Sequence, residues 1–224
     1  MRSETAQSWD EEYRRGRYEG EPAVAMVEAV VGAARSRGLG SGLYIGCGNG
    51  RNFVPLRRAG LDLVGLDVSG EALAALRRRL PGLPAARLVH GTVHDLPPGR
   101  RFPVVIGIQV FQHGLRDQCH EHLAAAAGLV SPGGLLCVRV NAVGTRFHPA
   151  HEVIETHADG GVTIRYTEGP KRGLDIHFFG ERELEGALPE GFEPVVPLSR
   201  VTERRVPPAP GHWCQWEGIW RRAA

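Results

Sequence analysis

The sequence predicts an α/β fold, a Rossmann-like doubly wound sheet of seven strands that is mostly parallel with an antiparallel C-terminal strand. Helix-like and strand-like segments alternate from residue 22 to residue 141, as in parallel sheets that carry helices on both faces. The run Phe102–Ile108 is almost continuously apolar, as a strand buried on both faces requires. A chain of 224 residues is long enough for one such domain, so we expect a single domain over residues 1–224.

Apolar periodicity and turn residues define the elements of the alternating part. Pro22 suits the first turn of a helix, and Ser69 is a favourable N-cap for another. Pro81–Gly82 and Ser131–Gly134 are typical turn sequences that end the helices before them. In order, we predict a helix over 22–37, a strand over 42–45, a helix over 52–59, a strand over 61–66, a helix over 70–80, strands over 86–90 and 102–108, a helix over 116–130 and a strand over 135–141.

The pattern changes after residue 141. There we predict strands over 162–166 and 174–179, a helix over 181–188, and strands over 192–198 and 213–221, the last two joined through a proline-rich loop at 206–210. Near the start, residues 8–19 mix aromatic and charged side chains. We interpret them as a surface segment that packs its rings on the rest of the fold.

Composition and charge exclude some classes of protein. A formal net charge of +2 gives no strong reason to expect nucleic acid or an anionic membrane as a partner. No apolar run approaches the ~18–20 residues of a membrane span, and the first residues lack the apolar segment of a signal peptide. The four cysteines form no C-x-x-C pair, which is typical of reduced thiols. We therefore expect a cytoplasmic protein, as a monomer or homodimer, with no membrane contact.

A glycine-rich loop after the first strand is the most informative segment. Gly46, Gly48 and Gly50 alternate there, and glycines let the backbone turn sharply and a ligand approach closely. Asp67 ends the next strand, where an acid can accept hydrogen bonds from both hydroxyls of a ribose. The dinucleotide fingerprint G-x-G-x-x-G needs a glycine at position 51, which is Arg51. The glycine loop and Asp67 therefore describe a nucleoside site, and the spacing argues against a nicotinamide dinucleotide.

This loop resembles motif I of the class I S-adenosylmethionine (SAM) dependent methyltransferases, of the small-molecule type. Residues 63–69, 91–97, 102–113, 129–134 and 177–185 are similar to further segments of that family in the same order, so the resemblance covers nearly the whole chain. Thr92 and Pro103 stand where the family usually has acids. The resemblance implies SAM as the cofactor and Asp67 as the ligand of its ribose, with a threonine hydroxyl or a backbone amide replacing the acid at position 92.

The resemblance also implies which residues form the site. His113, at the end of the fourth strand, is the predicted catalytic residue, either as a base or as an orienting group, since an unperturbed histidine titrates near neutrality; a strand cap or packing on the cofactor is the alternative. The predicted cofactor-binding residues are Tyr13, Gly46, Cys47, Gly48, Asn49, Gly50, Asn52, Asp67, Val68, Thr92, Val93, His94, Gln109 and Val110. The predicted substrate-binding residues are Phe111, Gln112, Asn141, His148 and His151.

Two segments are expected to complete this site. We expect residues 1–21 to form an N-terminal lid, with Trp9, Tyr13 and Tyr18 closing over the cofactor or packing on the sheet. We expect residues 142–176 to be an insertion that covers the acceptor. His148 and His151 flank a proline, and residues 119–122 read as solvated helix surface, so we predict no metal site.

The predicted function is the transfer of a methyl group from SAM to an oxygen or nitrogen atom of a small molecule, in natural-product tailoring. One alternative is an RNA-modifying methyltransferase, because the same glycine loop and a histidine after strand four also occur in tRNA enzymes; no basic stripe with interleaved aromatic residues supports it. The others are a nicotinamide-dependent oxidoreductase and a cofactor-binding protein without catalysis, which the missing acids at positions 92 and 103 leave open.

Overall fold

The computed structural model describes residues 4–16, 18–147, 150–169, 171–205 and 210–224. Its helices are α1 (Glu4–Arg14), α2 (Met26–Arg35), α3 (Phe53–Arg58), α4 (Gly70–Arg79), α5 (Arg116–Gly128) and α6 (Glu181–Gly186). Its strands are β1 (Ser41–Ile45), β2 (Asp62–Asp67), β3 (Leu88–His90), β4 (Phe102–Ile108), β5 (Val130–Asn141), β6 (His151–Thr156), β7 (Val162–Tyr166), β8 (Asp175–Phe178), β9 (Phe192–Arg204) and β10 (His212–Arg222). None of the described helices is long and apolar enough to cross a membrane.

The larger sheet has seven strands in the order β3-β2-β1-β4-β5-β10-β9. Strands β1 to β5 are mutually parallel, and β10 is antiparallel to both of its neighbours. This arrangement confirms the predicted fold, including the antiparallel C-terminal strand. The parallel strands bring their carboxyl ends to one edge of the sheet, where the loops after β1, β2 and β4 meet.

Alternate residues of the central strands divide the apolar core into two layers. Tyr44 and Ile106 point towards α2, α3 and α4, and Leu43 and Val105 point towards α5. This alternation is what a sheet covered on both faces requires. Trp216 and Trp220 of the last strand lie in the layer that faces α5.

A second, antiparallel sheet has the order β6-β7-β8. The sequence predicts β7 and β8, but not β6, whose side chains are mostly exposed and carry no clear alternation. The small sheet continues into the loop after β4: the Gly114 amide donates to the Asp175 carbonyl at 2.9 Å, and the His177 amide donates to the Gln112 carbonyl at 2.9 Å. It is therefore joined by backbone hydrogen bonds to the carboxyl edge of the large sheet.

Three further elements differ from the predictions. Residues 4–14 form a helix within the region that the sequence analysis interpreted only as a surface segment over 8–19. The mixture of rings and charges conceals the helical periodicity in the sequence. Strand β5 begins at Val130, so Ser131–Gly134 belongs to the strand instead of a separate turn. Strand β9 continues to Arg204 because it pairs with β10 over that length. Residues 206–209 of the predicted proline-rich loop lie outside the described residues.

Candidate active site

The glycine loop between β1 and α3 is closely covered by neighbouring elements. Gly46 and Gly48 have φ values of 67° and 55°, a region in which side chains are disfavoured. A Cβ on Gly46 would lie 2.7 Å from Val110, and a Cβ on Gly48 would lie 2.5 Å from the hydroxyl of Tyr13 on α1. The loop can therefore approach α1 and the β4 end only because it has no side chains at these positions.

Asp67, the last residue of β2, has its carboxylate fixed by two backbone amides. Gly48 donates to one oxygen at 2.7 Å and Ser69 donates to the other at 2.9 Å. The residue is only 8% exposed, and burial raises the pKa of its carboxyl above the usual value. Since a carboxylate has about four acceptor positions, two remain for the two hydroxyls of a ribose.

Helix α1 is anchored beside this carboxylate. Asp10 is buried and accepts hydrogen bonds from the Ser69 hydroxyl at 2.7 Å and from the Glu71 amide at 3.2 Å. Its negative charge lies at the N-terminus of α4, where the helix dipole favours an anion. Asp10 thereby fixes α1, whose Tyr13 packs on Gly48 of the glycine loop and whose Trp9 packs on His113.

A cavity of about 450 Å³ lies at the carboxyl edge of the sheet, between α1, the β4 end and the small sheet. Eleven predicted site residues line it: Tyr13, Gly46, Asp67, Val68, Thr92, Val93, His94, Gln109, Val110, Phe111 and His113. The cavity runs from the Asp67 carboxylate to the His113 ring, so it joins the predicted ribose site to the predicted catalytic residue. Its size suits a small organic ligand.

Several other predicted residues support the cavity wall from behind. The Asn52 side chain accepts from the Val24 amide at 3.0 Å and donates to the Tyr44 hydroxyl at 3.2 Å. The Asn49 side chain donates to the Tyr18 carbonyl at 3.2 Å. Both side chains thus hold the N-terminal segment onto the glycine loop. Cys47 is buried, and burial raises the pKa of its thiol, which leaves it a packing residue.

The predicted substrate-binding residues divide in the same way. Of the five, Phe111 lines the cavity, whereas Gln112, Asn141 and His151 do not. Asn141 accepts the Phe179 amide through its carbonyl at 2.9 Å, and His151 packs on Phe147 at 4.9 Å between ring centroids. The fifth residue, His148, lies outside the described residues.

In the segment after β3, Asp95 fixes the turn that carries Thr92. Asp95 accepts hydrogen bonds from the Thr92 amide at 2.7 Å and from the Thr92 hydroxyl at 2.9 Å. These bonds lower the pKa of the Asp95 carboxyl. Asp95 therefore caps the short turn that holds Thr92, Val93 and His94 in the cavity wall.

His113 is held as a neutral imidazole. Its Nε2 lies 3.2 Å from the Gln109 carbonyl, and because a carbonyl only accepts, Nε2 carries the proton and Nδ1 keeps a lone pair. Burial, followed by the charge of Lys171, lowers the pKa of His113 to about 3. The ring also packs edge-on against Trp9 at 5.0 Å. Gln109 itself has a φ of 60°, a strained conformation of the kind found at functional sites.

The far end of the cavity is formed by Trp9, which the sequence analysis expects in the N-terminal lid, and by four residues that it did not assign to the site. Gln118 and His122 come from α5, Asp175 begins β8, and Leu174 precedes it. The spacing of Gln118 and His122, one helical turn apart, is the signal that places both on one face. The Asp175 carboxylate accepts two hydrogen bonds from Arg165 at 2.7 and 2.8 Å.

A buried polar cluster holds the small sheet in place. The Glu183 carboxylate, with no exposed side-chain surface, accepts from Arg116 at 2.8 Å, from His120 at 2.9 Å and from His177 at 2.8 Å. The opposite nitrogen of His177 lies 2.8 Å from the Thr163 hydroxyl. Together, these contacts lower the pKa of Glu183 despite its burial. The cluster connects α5, α6, β7 and β8, and it therefore positions the cavity's far wall.

Residues 43–134 match the family model described as a methyltransferase domain. The chain is 36% identical over 103 residues to the ubiquinone biosynthesis O-methyltransferase of Cereibacter sphaeroides, covering 44% of this chain and 40% of that protein. It is 31% identical over 147 residues to the dTDP-3-amino-3,6-dideoxy-alpha-D-glucopyranose N,N-dimethyltransferase of Streptomyces fradiae, covering 61% of this chain and 55% of that protein. The chain thus spans two fifths to about half of the length of these curated relatives.

A solved structure extends the likeness to the whole chain at the level of the fold. The 1,6-didemethyltoxoflavin-N1-methyltransferase of Burkholderia thailandensis, solved with S-adenosylhomocysteine, superposes with a TM-score of 0.65 at 21% identity, covering 100% of this chain and 91% of that one. At this identity the comparison establishes the fold.

Proposed function

We propose that this chain is a class I SAM-dependent methyltransferase that transfers the methyl group of SAM to a nitrogen or oxygen atom of a small molecule. The match of residues 43–134 to a methyltransferase domain supports this proposal. The observation that carries the proposal is the single cavity that joins the Asp67 carboxylate to His113. The match to a methyltransferase domain argues against a nicotinamide-dependent oxidoreductase. The glycine spacing argues in the same direction, because Arg51 stands where the dinucleotide fingerprint has its last glycine.

The residues present fit the cofactor. Asp67 has two acceptor positions available for a ribose, and the glycines at positions 46 and 48 allow the loop to pack against Val110 and Tyr13, which line the same cavity. Val68, Val93 and His94 line the same part of the cavity, where the adenine ring is expected. Because Asp95 fixes this turn, Thr92 does not indicate a degenerate site. When bound, the cofactor supplies a sulfonium methyl group with a good leaving group.

The protein's own contribution is orientation and the exclusion of water. Trp9 and Phe111 give the acceptor end apolar rings, and His113 offers the Nδ1 lone pair to a polar hydrogen of the acceptor. His113 is a weak base because its pKa is about 3. The pKa of His122 is also lowered by burial, and Asp175 is engaged by Arg165. Among the described wall residues at this end, therefore, none is well suited to remove a proton before transfer.

This electrostatic environment favours nitrogen over oxygen as the accepting atom. A hydroxyl group must lose its proton as the new bond forms and needs a base. A neutral amine or heteroaromatic nitrogen attacks with an existing lone pair and releases any proton afterwards. Lys171, whose charge acts on His113, further disfavours a protonated amine in the cavity. We therefore propose an amine-type nitrogen, bound as the free base.

Natural-product tailoring is the context that we propose. The Streptomyces fradiae relative is named for an amino-sugar nucleotide, and a small acceptor suits the cavity. The four cysteines are buried free thiols, which supports our assignment to the reducing cytoplasm. The RNA-modifying alternative gains no support from the net charge of +2.

Calorimetry with SAM, S-adenosylhomocysteine and NADH is the first test. We expect micromolar binding of the first two and none of NADH; binding of NADH alone would contradict the proposal. A panel of amines and alcohols with matching skeletons, assayed by the release of S-adenosylhomocysteine, tests the accepting atom. Turnover of the alcohol but not of its amine counterpart would overturn the preference for nitrogen.

A further inference from the structure

The turn between β7 and β8 carries Lys171 beside the end of the cavity that holds His113. Backbone hydrogen bonds close this turn: the Gly173 amide donates to the Tyr166 carbonyl at 2.8 Å, and the Leu174 amide donates to the Lys171 carbonyl at 3.0 Å. Gly173 and Leu174 themselves line the cavity. The half-buried side chain of Lys171 is therefore carried by a turn whose backbone is fixed in the cavity wall.

The ammonium group of Lys171 lies against the ring of Trp9 on α1. Its Nζ is 5.9 Å from the ring centroid, within the range of a cation–π interaction. The same ring lies 5.0 Å from the His113 ring, centroid to centroid, and both rings line the cavity. After burial, the charge of Lys171 is the largest cause of the low pKa of His113, which agrees with this proximity. One small molecule beside Trp9 can therefore reach both the imidazole and the ammonium group.

The two carboxylates of the described cavity wall do not oppose an acidic ligand at this end. Asp67 lies at the cofactor end, where backbone amides hold it. Asp175 lies in the wall near Leu174, and it accepts two hydrogen bonds from Arg165 at 2.7 and 2.8 Å. An acidic group of a ligand would therefore meet the positive charge of Lys171, whereas the charge of Asp175 is already neutralised by a guanidinium group.

We propose that the methyl acceptor is an amine that also carries an acidic group, and that Lys171 binds this group while His113 receives the amine. The inference rests on the proposed transfer to nitrogen and names its class of substrate. An ammonium ion on a flexible stem binds anions as a point charge, so a carboxylate and a phosphate ester both satisfy it. Two contacts on either part of the acceptor also fix its orientation in the cavity, which promotes the reaction.

The acidic group and the uncharged amine suit the same positive charge. A nearby cation disfavours the ammonium form of the acceptor nitrogen and favours the ionised form of a carboxylate or phosphate. Lys171 therefore selects both properties of the acceptor: a nitrogen with its lone pair available, and an anion that holds the molecule in place.

Ring amines that differ only in the acidic group test this proposal, titrated by calorimetry into the full chain saturated with S-adenosylhomocysteine. Aniline is the uncharged parent, 3-aminobenzoate and 4-aminobenzoate add a carboxylate, and 4-aminophenyl phosphate adds a phosphate ester. We expect the unmodified protein to bind the best acidic amine at least about 10-fold more tightly than aniline, as one hydrogen bond between charged groups implies. The tighter of the carboxylate and phosphate compounds identifies the acidic group.

Variants of the turn assign the preference to Lys171. Lys171→Gln should abolish the preference for acidic amines, and Lys171→Arg should retain most of it because the charge is kept. Arg172→Gln is the matched control, since it removes an exposed cation from the same turn, and it should bind the acidic amines as the unmodified protein does.

Binding of S-adenosylhomocysteine and thermal unfolding, measured on the same variants, show that each variant is folded. Equal affinity of the unmodified protein for aniline and the acidic amines would overturn the proposal, and so would a preference that persists in Lys171→Gln or is lost equally in Arg172→Gln. Absence of binding by every acidic amine, with S-adenosylhomocysteine bound, would overturn it as well and leave the proposed methyl transfer standing. A failure of S-adenosylhomocysteine itself to bind would instead contradict the proposed function.

Discussion

Replacement of Asp67 by alanine tests the cofactor site most directly. The carboxylate accepts the Gly48 amide at 2.7 Å and the Ser69 amide at 2.9 Å, which leaves two acceptor positions for the ribose hydroxyls. Asp67→Ala removes all four positions at once. The variant should therefore lose both cofactor affinity and some stability, for separate reasons whose sizes follow from these contacts.

The loss of affinity can be calculated from the two hydroxyl contacts. Hydrogen bonds to a charged group contribute ~1.5–3 kcal/mol each, so two of them amount to ~3–6 kcal/mol, or about 10²- to 10⁴-fold in Kd. The Gly48 and Ser69 amides would lose their acceptor, at ~1–3 kcal/mol for each buried group. Asp67→Asn retains the size and one oxygen, so its affinity should fall by less than that of the alanine variant.

Calorimetry with S-adenosylhomocysteine, together with thermal unfolding, measures both effects. Asp62→Ala is the matched control: Asp62 begins the same strand, its side chain is 44% exposed, and it pairs with Arg57 and Arg87. Such exposed pairs contribute ~0.2–1 kcal/mol, so the control should be slightly less stable and bind normally. A folded Asp67→Ala variant whose Kd stays within about threefold of the unmodified value, well below the loss that hydrogen-bond energies imply, would refute the ribose assignment.

The other predictions concern stability, turnover and the glycine loop. Glu183→Ala should lower the free energy of unfolding by ~3–5 kcal/mol, because buried donors such as His177 lose their partner. Since the pKa of Glu183 is lowered in the folded state, the stabilisation by this residue is present above its unfolded pKa of ~4.5 and is lost as the pH falls. Urea unfolding at several pH values measures both effects. His113→Phe should lower turnover only about 2- to 10-fold and spare cofactor binding, as expected for one neutral hydrogen bond; a loss of about 10²- to 10⁴-fold would instead identify a general base. Gly48→Ala should weaken binding of S-adenosylhomocysteine, because the added Cβ would lie 2.5 Å from the Tyr13 hydroxyl. Adding Tyr13→Phe to the same variant removes that hydroxyl and should restore part of the affinity. If affinity does not recover, the contact between the two residues is not the cause of the loss.

The predictions from sequence succeed where a local pattern carries the information. The glycine spacing and Asp67 lie within one short stretch, and apolar runs identify the parallel strands, so the cofactor half of the cavity follows from them. Helix α1 could not be predicted in this way, because its rings and charges contact residues that are distant in the chain. The hydrogen bond between Asp10 and Ser69 is an example. Strand β6 could not be predicted either, because an exposed edge strand does not need alternating apolar and polar side chains.

The acceptor half of the cavity depends on contacts between segments far apart in the chain. Gln118 and His122 are exposed side chains of α5, and only the folded structure shows that they line the cavity. The charge of Asp175 is neutralised by Arg165, ten residues away. Likewise, the low pKa of His113 arises from burial and from Lys171. A histidine at the end of a strand indicates a base when only its ordinary pKa is known, so the sequence could name the residue but not its protonation state.

The two halves of the cavity therefore contribute differently to the chemistry. The parallel sheet supplies the glycine loop and Asp67, which suit one cofactor whatever the acceptor is. The small sheet and α1 enclose the other end with rings, two neutral histidines and a neutralised carboxylate, and the Glu183 cluster fixes that enclosure. Because the pKa values of both histidines are lowered and Asp175 is paired with Arg165, none of these groups readily takes a proton from the acceptor before the methyl group moves. The pH dependence of turnover should then follow the pKa of the acceptor amine, rising as the amine loses its proton, and it should shift when the amine is exchanged for one of different basicity. A pH profile that stays the same for amines of different pKa would assign proton removal to the protein instead.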